Sequence, residues 1–158
     1  VYSRRLRLKN MSLYEQINSN MRNVSSSAKV LQMTPDDELS RGLRLFRSIA
    51  MLMEEQKPYT SQAFNRSSLA HLMGTNEKYV ADAVREGAGT TVANYITDTR
   101  LNHSLELLSD EPGDGQLSLD DVARLSGFGS YSSFWRAFQK KYSMTPSEYR
   151  NLRTKNRQ

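Results

Sequence analysis

Residues 116–150 read QLSLDDVARLSGFGSYSSFWRAFQKKYSMTPSEYR, and the fold is decided in this stretch. Ser118 followed by Asp121 predicts the cap of a short helix, on which Leu119, Val122, Ala123 and Leu125 fall at helical spacing. Gly127 ends that helix, and Phe128 is placed to fold back over its last turn. A second helix starts at Ser130. Phe134 and Phe138 lie one turn apart on its core side, whereas Ser132, Trp135, Arg136 and Gln139 project from another side. Thr145-Pro146-Ser147-Glu148 then supplies a cap, a proline at the first helical position and a glutamate that reaches back. Two short helices across a tight turn, the second with a polar and aromatic outer face, suit the major groove of DNA.

The pattern formed by Asp120, Ala123, Gly127, Phe128, Ser130, Ser132, Phe134, Arg136, Phe138, Thr145, Pro146, Tyr149 and Arg150 resembles the signature of AraC/XylS-family transcription regulators. With that many fixed positions the resemblance is far more specific than a lone helix-turn-helix guess. It extends over roughly residues 36–153.

Working outward, Ser67 or Ser68 is placed to cap the short helix SLAHLMG, which Gly74 stops. Asn76 caps its partner EKYVADAVREG, closed by Gly87 or Gly89, with Tyr79, Val80, Ala83 and Val84 expected to be buried. Lys78, Ala81, Asp82 and Arg85 share the opposite face. A longer helix is expected from Thr91 to about Ser109, and Asp110–Gly115 reads as a loop. Upstream, Thr34-Pro35-Asp36-Asp37 reads as a further helix start, and Leu39, Leu43, Phe46, Ile49 and Met53 mark one face of a helix running to about Gln56. The resemblance implies that this helix packs against the first helix-turn-helix.

The expected fold is therefore all-α: about seven helices, with two helix-turn-helix subdomains joined by a long linking helix. Residues 1–33 are expected to form a basic linker or juxtamembrane coiled-coil segment, and residues 34–158 the DNA-binding domain. Within it the first helix-turn-helix spans about 67–87, the linking helix 91–109, the second helix-turn-helix 118–142 and the terminal helix 146–155.

Charge is unevenly distributed along the 158 residues: residues 1–33 carry a net +5, residues 34–116 a net −5 and residues 117–158 a net +5. The absence of cysteine excludes disulfide scaffolds, cysteine nucleophiles and Cys-type zinc fingers, and fits a reducing cytoplasm. In the opening segment Tyr14, Ile17, Met21, Val24, Ala28 and Leu31 trace a short heptad seam that Ser25-Ser26-Ser27 interrupts, which fits a frayed linker as well as a coiled coil. The basic run RRLRLK has three readings: a nucleic-acid arm, a solvated linker, or the cytoplasmic flank of a transmembrane helix. It is similar to the juxtamembrane start of hybrid sensor-regulators, and a chain starting at Val1 is expected to be part of a longer protein.

For base contact the resemblance implies Tyr131, Ser132, Trp135 and Arg136 on the second unit, and Lys78, Ala81, Asp82 and Arg85 on the first. Arg136 suits guanine O6 and N7 or, on the plainer reading, a local ion pair. Trp135 either meets a thymine methyl or sugar, or packs inward. Asp82 departs from the family, which often carries a basic or amide residue there; it can accept from cytosine N4 or pair with Lys78. For phosphate contact the candidates are the helix starts at Ser67, Asn76, Ser118 and Ser130, together with Lys140, Lys141 and Arg153.

The expected partners are double-stranded DNA and, by resemblance, RNA polymerase, with a homodimer formed through the upstream or N-terminal segment. No cofactor, metal, catalytic residue or small-molecule ligand is expected. His71 and His103 stand in predicted helices away from any nucleophile. Cytoplasmic location, as the inner part of a membrane-anchored protein, follows the same resemblance. Activation is the expected direction of regulation. The rival reading is a degenerate helix-turn-helix domain that acts through protein contacts or as a dimerising signal relay.

Overall fold

The computed structural model describes residues 39–109 and 115–156. The basic opening with its apolar seam, the Thr34–Asp37 helix start and loop residues 110–114 lie outside the described residues. Among the described residues there are seven α-helices and no strand: α1 (Arg41–Gln56), α2 (Arg66–Leu72), α3 (Glu77–Ala88), α4 (Val92–Leu107), α5 (Leu119–Leu125), α6 (Tyr131–Tyr142) and α7 (Pro146–Asn156). A 3₁₀ turn occupies Pro58–Thr60. Two compact units divide between Arg100 and Leu101, inside α4.

In the first unit, α1 begins at Arg41. Extended Ser40 caps it, accepting from the Leu43 N–H at 3.1 Å and donating its hydroxyl proton to Glu86. Leu39, expected on the helix face, therefore lies ahead of the cap, where it is buried. Lys57 turns left-handed (φ 48°) and Pro58 follows, so α1 stops there. Phe46, Ile49 and Met53 from α1 meet Leu69 and Ala70 from α2, Val80, Ala83 and Val84 from α3, and Val92 and Ile96 from α4. Two glycines let α1 and α3 approach closely. A Cβ on Gly87 would stand 2.0 Å from the Phe46 ring, and one on Gly42 would overlap the Glu86 carboxylate.

The cap of α2 is Asn65 rather than Ser67 or Ser68. Its side chain accepts from the Ser68 N–H at 3.0 Å, and the Ser68 hydroxyl accepts from the Asn65 N–H at 3.4 Å. Ser68 is thus the returning half of a capping box, and Ser67 is an exposed first-turn residue. The irregular segment before α2 is tied to α4 by Arg100, whose Nε donates to Tyr59 O at 2.8 Å and whose Nη2 donates to Ser61 O at 2.9 Å and Phe64 O at 3.4 Å. Burial lowers the pKa of this guanidinium from its ordinary value. Burial also pushes the neighbouring Tyr95 phenol up to about 12.

The second unit is built on aromatic rings. Phe138 meets Phe134 at 5.6 Å, Tyr142 at 4.7 Å and Tyr149 at 5.9 Å between centroids, all edge-on, the arrangement ring quadrupoles favour. Leu101 and Leu105 from α4, Leu108 just past its end, and Val122 and Ala123 from α5 close the core. The start of α7 has the expected reciprocal cap: Thr145 N–H donates to Glu148 Oε2 at 2.8 Å, and Glu148 N–H donates to Thr145 Oγ1 at 3.1 Å.

Candidate nucleic-acid interface

Each unit carries the same turn between its paired helices. After α2, Gly74 N–H donates to His71 O and Thr75 N–H to Ala70 O, both at 3.1 Å. After α5, Gly127 N–H donates to Arg124 O at 3.1 Å and Phe128 N–H to Ala123 O at 3.0 Å. Both are Schellman closures with a left-handed glycine, at φ 65° for Gly74 and 95° for Gly127. The second turn is one residue longer before its next helix starts, because Gly129 precedes the cap Ser130.

From their caps onward, α3 and α6 run in register. Each has 12 residues. Asn76 accepts from Tyr79 N–H at 2.9 Å and Ser130 from Ser133 N–H at 3.1 Å. Each ends on a left-handed residue, Gly89 or Ser143, whose N–H bonds Arg85 O or Gln139 O. Val80, Ala83 and Val84 on α3 and Phe134 and Phe138 on α6 face inward. Lys78, Ala81, Asp82 and Arg85 consequently occupy the positions that Ser132, Trp135, Arg136 and Gln139 occupy on α6.

The two outer faces differ in chemistry. On α6, Tyr131, Ser132, Trp135 and Arg136 line one shallow surface depression. Ser132 and Arg136 are exposed, Tyr131 and Trp135 half-buried. Tyr131 is steadied by the Phe134 ring at 6.2 Å. Arg136 makes no ion pair among the described residues, so its guanidinium fork is uncommitted. No acidic residue stands in the first turn of α6, and Lys140 and Lys141 are exposed in its last turn, Lys141 lying 5.8 Å from the Tyr142 ring centroid. Arg153, on α7, is half-buried and donates to Tyr149 Oη at 3.5 Å.

On α3 the cations are paired. Asp82 Oδ2 lies 3.3 Å from Lys78 Nζ and Oδ1 3.2 Å from Arg85 Nη1. Arg66 pairs with Glu77 at 2.8 Å across the turn. Sequence reasoning anticipated Lys78 with Asp82 but not the bond to Arg85. Tyr79 corrects an expectation: it is 50% exposed, not buried, because the inward stripe of α3 runs through Val80, Ala83 and Val84 and leaves position 79 at its edge. Tyr79 thereby joins the outer face as a residue the sequence reading missed, with Lys78 Nζ 6.0 Å from its ring centroid.

The helix starts are likewise unequal. Asp120 and Asp121 occupy the first turn of α5, where the Ser118 hydroxyl donates to Asp121 at 2.8 Å and accepts from its N–H at 3.0 Å. Hydrogen bonding from Ser118 and then Arg124 holds the Asp121 carboxyl below its ordinary pKa. That carboxylate competes with any phosphate at the same positive helix end. The start of α3 carries Glu77, whereas α6 and α2 carry no acid in the first turn. The acidic excess of the middle of the chain is not a property of the first unit. Residues 39–100 hold eight basic and six acidic side chains, and the remaining acids of the middle segment are residues 36–38, Glu106, Asp110, Glu111 and Asp114.

His71 is exposed on α2, and His103 lies 3.3 Å from Glu106. Among the described residues no helix is long and apolar enough to cross a membrane.

Against known proteins, a family model described as a helix-turn-helix domain matches residues 69–152. The melibiose operon regulatory protein of Escherichia coli K12 is 34% identical over 97 residues, which is 61% of this chain and 31% of that protein. Histidine kinase P4 of Formosa agariphila is 22% identical over 149 residues, 93% of this chain and 10% of that protein. The chain thus spans about a third of the melibiose regulator and a tenth of the kinase. Among solved structures, the DNA-binding domain of the global transcriptional factor AdpA, crystallised with a target DNA, shares the fold with a TM-score of 0.60 at 20% identity, covering 71% of this chain and 95% of that one.

Proposed function

This chain belongs to the AraC/XylS-type helix-turn-helix family of transcription-regulator DNA-binding domains, and from that premise we propose that α3 and α6 enter successive major-groove segments of double-stranded DNA and read its sequence. The observation that carries the reading is the convergence of Tyr131, Ser132, Trp135 and Arg136 on one outward depression, beside a helix start without acids. Arg136 supplies a two-pronged donor for guanine, worth about 1–3 kcal/mol of discrimination. Trp135 and Tyr131 supply apolar contact to a thymine methyl or a sugar. Lys140, Lys141 and Arg153 and the N–H groups of Ser130, Asn76, Ser67 and Ser118 hold phosphates, with α5 the weakest of these because of its two aspartates.

In this proposal the second unit supplies most of the sequence-independent affinity, because Arg136 on its outer face makes no ion pair among the described residues while Lys78 and Arg85 on α3 are held by Asp82. The AdpA domain, which shares the fold and was crystallised on DNA, supports the choice of ligand. Activation through RNA polymerase, dimerisation through the segment ahead of residue 39, and a place at the cytoplasmic end of a membrane-anchored sensor complete the proposal. The likeness to a histidine kinase over 93% of the chain supports the last.

Selection of binding sites from randomised duplex DNA at near-physiological salt tests this. Two conserved blocks about one helical turn apart are the expected result. One block alone would restrict base reading to α6. No enrichment, and no binding even at low salt, would replace DNA by a protein partner.

A further inference from the structure

Asp82 uses both carboxylate oxygens on its own helix, one toward Lys78 and one toward Arg85. All three side chains are open to solvent, at 80% for Lys78, 47% for Asp82 and 71% for Arg85, so the cluster is a surface strip and not a buried network. In the same register α6 carries Ser132, Arg136 and Gln139, with no carboxylate. The remaining cation beside the first turn, Arg66, is held by Glu77. A polyanion approaching α3 therefore meets a carboxylate at the centre of the face. It must also draw two cations away from that carboxylate before they can neutralise phosphates.

We propose that Asp82 is a specificity-determining residue that works by exclusion: as the shared counter-ion of Lys78 and Arg85 it keeps the first unit from binding DNA of arbitrary sequence. An ionised carboxylate accepts hydrogen bonds and donates none. It is tolerated in the groove only where a base edge offers a donor, as cytosine N4 or adenine N6 does. Discrimination between sites then comes from a repulsive group, not from an added attraction. The inference rests on the proposal that α3 and α6 face DNA.

The test compares the wild type with Asp82→Asn, which keeps shape and removes charge, and with Glu55→Gln, which removes an exposed acid of α1 outside the reading face. Each is titrated against mixed-sequence duplex and against a selected site across a salt series. Trp135 fluorescence reports engagement of α6 independently. Each cation released to a phosphate adds about 0.9 to the slope of log K against log salt, so Asp82→Asn is expected to steepen it by about 1–2. It should tighten mixed-sequence binding by roughly tenfold at 0.1 M salt and change selected-site binding by no more than about threefold. Glu55→Gln should move neither by more than about threefold.

Equal effects of the two substitutions, or an unchanged salt slope in Asp82→Asn, would overturn the exclusion role while leaving DNA binding intact. Loss of selected-site binding in Asp82→Asn, at unchanged mixed-sequence affinity, would overturn it in favour of simple attraction to a base. Asp82→Ser, a second neutral replacement, must move in the same direction as Asn. A wild type that binds no duplex at low salt, with unaltered Trp135 emission, would instead remove the premise.

Discussion

A methyl group added at Gly87 sets two effects of opposite sign against each other. Alanine is the better helix residue, by about 1 kcal/mol in a helix interior. Against that, the added Cβ would lie 2.0, 2.2 and 2.7 Å from Cδ1, Cγ and Cε1 of Phe46. Carbon atoms prefer roughly 3.5–4.0 Å. The ring or the helix must therefore shift by more than an ångström, and the ring has little room: Phe46 is buried and its edge meets Tyr95 at a centroid distance of 5.6 Å. Overpacking of this kind costs about 1–3 kcal/mol, and because the Phe46 ring is buried and held against Tyr95 the upper half of that range applies. The expected net effect of Gly87→Ala is a loss of about 1–2 kcal/mol, or roughly 5–15 °C in the melting of a unit this small. Urea denaturation followed by far-UV circular dichroism measures it. Phe46→Leu in the same chain should recover part of the loss, giving a coupling of at least about 1 kcal/mol between the two positions. A Gly87→Ala protein with an unchanged or higher urea midpoint would refute the close approach of α1 and α3 as the reason for glycine there.

Arg136→Ala should weaken binding to a selected duplex by about 1–3 kcal/mol in an electrophoretic titration, and Arg85→Ala by less, since Arg85 is already paired with Asp82; the reverse order would contradict the ranking of the two units. The phenol of Tyr95 stays protonated in the folded state up to about pH 12, whereas in the unfolded chain it ionises near pH 10. The folded state then binds more protons, so stability falls as pH rises between those values, by about 2–3 kcal/mol in all. Tyr95→Phe should flatten that slope in thermal melts, and an equally steep fall in the variant would exclude Tyr95 as its source. Ser126 buries a hydroxyl without a hydrogen-bond partner among the described residues, so Ser126→Ala should be neutral or raise stability by up to about 1 kcal/mol in thermal denaturation.

Most caps were legible in the sequence as a short polar residue just ahead of an apolar stripe. Asn76, Ser118, Ser130 and the Thr145–Glu148 pair all sit where local chemistry places them. Asn65-Arg66-Ser67-Ser68 was ambiguous because three cap-competent residues crowd one turn, and the winner is decided by which one the chain enters in extended form. Tyr79 was misjudged for a related reason. It lies four residues before Ala83, yet the inward direction is set by the packing of α3 on α1, which local period does not fix. The ties from Arg100 to carbonyls 36–41 residues earlier have no local signature at all. That Ser132, Trp135 and Arg136 share the outer side of α6 was legible because Phe134 and Phe138 fix its inner stripe. The bond from Asp82 to Arg85 was not, since several rotamers of either side chain satisfy the sequence equally well.

The matched register of α3 and α6 makes the two helices interchangeable cassettes. Cap, length and left-handed closure agree, so the outer residues 78, 81, 82 and 85 can be exchanged for those at 132, 135, 136 and 139 without disturbing any helix end. A chimera carrying the α6 face twice would present the same lettering in both halves, and under the proposed reading its preferred DNA should contain the same short block twice. The spacing of the two blocks, read off by sequencing, would serve as a molecular ruler for the distance between the two halves on DNA.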